Sequence, residues 1–87
     1  MWTATLDTME HWEHMALQVD DLSNSTQILA IRPGRAHELV DHGTVTTRRV
    51  LEELETLGTE GWQLVSTEHR AAADGEVRTL WLKRLVV

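Results

Sequence analysis

Cysteine is missing from this sequence. Disulfides, thiolate metal ligands and a cysteine nucleophile are excluded with it, as is the covalent staple on which many domains of this size depend. Phenylalanine and tyrosine are absent too, so four tryptophans carry all the aromatic bulk. No stretch approaches the roughly 20 apolar residues that cross a bilayer. The opening residues, MWTATLDTMEHWEH, have no basic start and no continuous apolar run, so no secretory leader is read there. Without that route the acceptor pattern Asn24-Ser25-Thr26 carries no weight. Basic side chains are outnumbered, 8 against 14, and the net charge of −6 works against nucleic acid and anionic lipid. The expected setting is the cytoplasm, with no membrane and no nucleic-acid partner.

What is present reads as one small domain over residues 1–87, with room for one modest core. Residues 1–10 are polar and mixed, a loose N-terminal arm that includes Trp2. From His11 to Val19, HWEHMALQV alternates as a strand does, with Met15, Leu17 and Val19 on one face and Trp12, His14 and Ala16 on the other. The turn formers of Asp20 to Ser25 should end it. Thr26 to Ile31 is a short β-prone run that can pair back as a hairpin. Arg32-Pro33-Gly34-Arg35 breaks that run, and AHELVDH, residues 36–42, has room for one or two helical turns. Residues 20–43 thus read as an extended, specialised connection.

The main helix follows. Thr44, Thr46 or Thr47 can cap it by accepting from a free first-turn N–H. Val50, Leu51, Leu54 and Leu57 form its apolar stripe. Arg48 with Glu52 and Arg49 with Glu53 are four apart, in the less favourable basic-first order. Gly58 suits the left-handed residue that ends many helices, and Gly61 lets the chain turn back into Trp62. Two strands complete the domain, Trp62 to His69 and Glu76 to Val86, with the Asp74-Gly75 pair in the hairpin between them. The expected fold class is α+β: a small antiparallel sheet of three to four strands packed on one main helix, in β-(β)-α-β-β order.

The last strand is apolar on both faces. Val77, Trp81 and Leu85 point one way; Leu80, Leu82 and Val86 point the other. One helix covers one face of a small sheet, so the second face needs a cover, either residues 20–43 or another copy of the chain.

Four segments together resemble a known family. They are Trp12-Glu13, Leu51-Glu52-Glu53-Leu54, Leu57-Gly58-Thr59-Glu60-Gly61-Trp62-Gln63-Leu64-Val65-Ser66, and Trp81-Leu82-Lys83-Arg84. The pattern resembles the small bacterial and phage family called domain of unknown function 4177. The resemblance covers about half of the chain, most specifically Leu57 to Ser66, and implies a β-α-β-β unit. It supplies no activity, cofactor or catalytic residue.

Side chains able to do chemistry do not converge in the sequence pattern. His11, Glu13 and His14 form a dense cluster, but on a strand His14 points away from the other two, and zinc wants three or four converging ligands. His37 and His42 are five apart and do not align on a helix. Ser66 and His69 face opposite sides of a strand. Asp20-Asp21 and Glu52-Glu53 read as solvated pairs, and Arg32-Pro33-Gly34-Arg35, with one glycine, is no phosphate loop. No catalytic residue, metal ligand or cofactor is expected. The residues singled out as a partner or ligand surface are Trp12, Arg32, Arg35 and Trp81: tryptophans anchor interfaces, and two arginines at a turn can fork an anion. The expected function is a non-enzymatic interaction module that forms a homo-oligomer through the sheet face the helix leaves bare, with room for a further protein partner. The alternative is a homo-oligomer that binds or sequesters a small anionic ligand in a Trp/Arg-lined pocket at the subunit boundary.

Overall fold

A computed structural model describes residues 11–23 and 25–86. It forms an α+β domain with one helix and a five-stranded antiparallel sheet, so the sheet holds more strands than the sequence suggested. The elements are β1 (His11–Leu22), β2 (Ser25–Ile31), β3 (Glu38–Gly43), α1 (Thr47–Thr59), β4 (Gln63–Ala72) and β5 (Gly75–Val86). Their order across the sheet is β3-β2-β1-β5-β4. The arm read at residues 1–10, with Trp2, lies outside the described residues.

The extra strand is β3. AHELVDH, expected as a short helix, is extended and pairs with β2, for example Leu29 with Leu39 and Gln27 with His42. A segment this short gains little as a helix in water, because the costly first turn is spread over too few bonds. The outer edge of β2 offers it ladder hydrogen bonds instead. A bulge between Ile28 and Leu29 places one additional residue, Val40, on the β3 side of the ladder. The Thr26 hydroxyl then fixes the end of β3 by donating to the Gly43 carbonyl and accepting from the Val45 N–H at 3.0 Å. Residues 20–43 therefore widen the sheet and do not fold across it.

β1 runs further than its alternation suggested. Asp20 and Asp21 were expected in a turn but lie in the ladder, opposite Gln27 and Thr26. Asp20 is 7% exposed, and its carboxylate accepts from the Gln18 side-chain amide at 2.9 Å and the Gln27 amide at 2.7 Å. Those two donors offset the loss of water that would otherwise keep aspartate out of a ladder.

The core lies between the sheet and α1. Met15, Leu17 and Val19 of β1, Ile28 and Ala30 of β2 and Leu80 and Leu82 of β5 meet Val50, Leu57 and Trp62. Register explains the set: Leu17 stands opposite both Ala30 and Leu80, and Met15 opposite Leu82, so these side chains share one face. On the helix, Val50, Leu54 and Leu57 hold the stripe, whereas Leu51 is exposed, one position off it. Thr46 is the N-cap, its hydroxyl accepting from the Arg49 N–H at 3.2 Å. At the far end, Gly58 stays helical and Gly61, at φ +92°, takes the left-handed position. The Trp62 N–H closes this turn on the Leu57 carbonyl at 3.0 Å.

β4 and β5 form the closing hairpin. Ala72 pairs with Gly75 across Ala73 and Asp74, so the glycine sits just past the turn, on the first residue of β5. The Asp74 carbonyl also accepts from the Ser23 N–H at 2.8 Å, joining this turn to the one between β1 and β2.

Candidate functional site

The two faces of the sheet differ. The helix covers the face carrying Leu17 and Leu82; the other described elements are strands of the sheet itself, so none of them lies over the second face. Register puts Trp12 opposite Leu85, Ala16 opposite both Trp81 and Ile31, and Leu29 opposite Leu39 on this open face. Trp12 is 37% exposed, Trp81 42% and Leu85 40%. Ala16, between Trp81 and Ile31, is 3% exposed, so its larger neighbours fill the space above it. The split expected for the last strand is the one observed: Leu80 and Leu82 are buried and Trp81 is open.

At one end of this face the sheet has a notch. β2 stops at Ile31, opposite Ala16, while β1 continues back to His11 paired with β5 alone. The chain leaves β2 through Arg32-Pro33-Gly34-Arg35, a turn closed by the Arg35 N–H donating to the Arg32 carbonyl at 3.3 Å. Gly34, at φ +74°, supplies a conformation that side chains disfavour. The turn faces the stretch of β1 that β2 has left, and Trp62 and Arg84 close the far side. The result is a cleft of about 450 Å³ lined by Trp12, Glu13, His14, Arg32, Pro33, Arg35, Trp62 and Arg84. A groove of about 350 Å³ adjoins it, sharing His14, Arg32 and Pro33 and running on to Ala16, Ile31 and Trp81.

Of the four residues singled out in the sequence, Trp12, Arg32 and Arg35 meet in the cleft, and Trp81 joins Arg32 in the groove. Cations and aromatic rings are interleaved there. The Arg84 guanidinium sits 4.5 Å from the Trp62 ring centre and that of Arg32 5.8 Å from it, while the Lys83 ammonium lies 4.2 Å from the centre of Trp12. Such contacts hold a cation in place through the ring's negative face. Arg84 is already engaged: its guanidinium donates to Glu13 at 3.0 Å and to the Glu60 carbonyl at 3.2 Å. Arg32 and Trp62 differ. The Arg32 Nε–H and the Trp62 indole N–H are buried and find no hydrogen-bond partner among the described residues.

The sequence did not point to Glu13, Trp62 and Arg84 as cleft residues. Trp62 reads as core, and it is, at 6% exposed, but one edge of it also forms a wall. Arg84 reads as part of a basic chain end; its place opposite Glu13 follows from β1–β5 register, which pairs residues from the two ends of the chain. Of His11, Glu13 and His14, the last two line the cleft; no group of three potential metal ligands occurs among the described residues. Ser66 and His69 lie opposite Trp81 and Arg78, on different faces. His69 pairs with Glu76 at 2.8 Å, and its hydrogen bond holds the Glu76 carboxyl below the ordinary value. No described helix is long and apolar enough to cross a membrane.

Among the described residues, fold and site together define an α+β domain of one helix and five strands, with a sheet face that no described element covers and an arginine-lined notch beside it. No family model and no curated protein matches the chain.

Proposed function

We propose that this chain is a non-enzymatic interaction module that self-associates through the open sheet face. One observation carries the reading: Trp12, Trp81 and Leu85 are exposed on one sheet face that no described element covers, with the His14–Lys83 pair between them. Scattered apolar side chains are ordinary on a protein surface, but two exposed tryptophans on one uncovered sheet face are of the residue type that anchors contact sites. A second copy is the simplest cover. It brings the same patch and satisfies it reciprocally about a two-fold axis, with the two sheets about 10 Å apart. A stable contact of this kind buries about 800 Å² on each partner. Polar neighbours such as Gln18 and Thr79, opposite each other on the same face, lie beside the apolar centre, as expected for a rim around it.

Light scattering coupled to size exclusion tests this directly. The parent chain is expected to run as an oligomer. Trp81→Glu places a charge at the centre of the patch and is expected to run as a monomer with unchanged helical circular dichroism. A parent chain that is monomeric, or a folded Trp81→Glu chain of unchanged oligomeric size, would refute the reading.

A further inference from the structure

We propose that the notch beside Arg32 binds a small organic anion, a phosphate or carboxylate attached to a flat apolar body. The charge distribution is the first argument. The chain is acidic overall, with 8 basic residues against 14 acidic ones, yet three of its arginines line one cleft with Glu13 as the sole acid in the lining. Glu13 is committed to Arg84, which leaves Arg32 and Arg35 with positive charge and no carboxylate partner among the described residues.

The buried donors are the second argument, and an independent one. The Arg32 Nε–H and the Trp62 indole N–H lack partners among the described residues, and Trp62 is 6% exposed. Leaving a buried donor unpaired is costly, more so when it belongs to a charged group. Acceptor oxygens in the cleft would remove that cost, and guanidinium groups suit the paired oxygens of phosphate or carboxylate. The stretch of β1 that β2 has left also lines this space, through Trp12, Glu13 and His14.

The shape of the cavity selects the rest of the ligand. A volume of about 450 Å³ lies within the range of roughly 300–1,000 Å³ typical of small-molecule sites and well above the needs of a bare inorganic anion. The adjoining groove, reached past His14 and Pro33, is walled by Ala16, Ile31 and Trp81. It offers apolar walls and an exposed indole on which a planar group can stack. The head of the ligand therefore belongs with Arg32 and Arg35 and its body with Trp81.

Calorimetric titration with three probes tests the assignment: 1-naphthyl phosphate, the neutral 1-naphthol and inorganic phosphate. The naphthyl phosphate is expected to bind at least tenfold more tightly than either fragment, and more weakly as salt rises. Arg35→Glu, a change at an exposed turn whose side chain bonds to no other described residue, should weaken it tenfold or more without altering melting temperature. Equal binding of 1-naphthol and its phosphate would overturn the anion site. Equal binding of inorganic phosphate would overturn the organic ligand. Unchanged binding in Arg35→Glu, or no binding of any probe, would overturn the whole. The proposal shares Trp81 with the proposed association face, so the groove lies at the boundary between copies, and light scattering on the same samples separates the two. A monomer that binds sinks the association alone, and an oligomer that does not bind sinks this site alone.

Discussion

Gly75 stands opposite Leu22 at such close range that a side-chain carbon added to it would lie 2.8 Å from the Leu22 Cα and within overlap of the Asp21 backbone. The obstacle is the main chain of β1, so it cannot swing away as a flexible side chain would. Gly75→Ala is expected to cost about 1–3 kcal/mol, the range for inserting a carbon where no room exists. Gly58 is the control. It sits inside α1 with open space around it, and Gly58→Ala should stabilise by roughly 0.5–1 kcal/mol by restricting the unfolded chain. Urea unfolding of both variants checks the pair; equal effects of the same sign would show that the close approach is not real.

Removing the helix cap has a defined cost. The Thr46 hydroxyl accepts the Arg49 N–H, one of the first-turn donors that the helix itself leaves unpaired. Thr46→Ala should lose about 1 kcal/mol and Thr46→Ser very little of it. A loss as large in the serine variant would mean that the methyl group, and not the hydroxyl, is what matters.

The link between helix and edge strand is sensitive to acid. Arg49 lies 2.8 Å from Asp41 on β3 and 3.2 Å from Glu53 on its own helix. The hydrogen bond from Arg49, assisted by the His42 backbone N–H, holds the Asp41 carboxyl below its ordinary value of 3.8. A carboxyl lowered by folding adds stability above the unfolded value and loses it as pH falls through the folded one. Asp41→Asn should therefore melt slightly below the parent at neutral pH, the modest effect of an exposed pair. The two curves should converge once the pH is well under 3.8. A difference that persists in acid would assign the effect to packing.

Much of this architecture is written in local pattern. The alternation of Met15, Leu17 and Val19 and the spacing of Val50, Leu54 and Leu57 each report which side meets the core, because one residue's environment repeats at a fixed interval. β3 carries no such signal. Glu38 to Gly43 holds two adjacent apolar residues between polar ones, a pattern that suits a helical turn as well as a strand, and the free edge of β2 decides between them. The cleft is legible only in part. Arg32 and Arg35 stand out beside a proline and a glycine, but the partners Trp12, Trp62 and Arg84 come from three other regions of the chain. Their convergence depends on where β2 stops and on the register that places Glu13 opposite Arg84.

The strand order also constrains how the domain is assembled in time. β5 lies between β1 and β4, so the strand nearest the start of the described chain waits for its neighbour until residues 75–86 have been synthesised. β1 with β2 and β3 can form a meander early, but β4 has no native partner before β5 arrives. Until then the flank of β1 that β5 will occupy stays in water. Closure of the sheet is thus a late, long-range event, of the kind that slows folding and leaves the nascent chain exposed to aggregation.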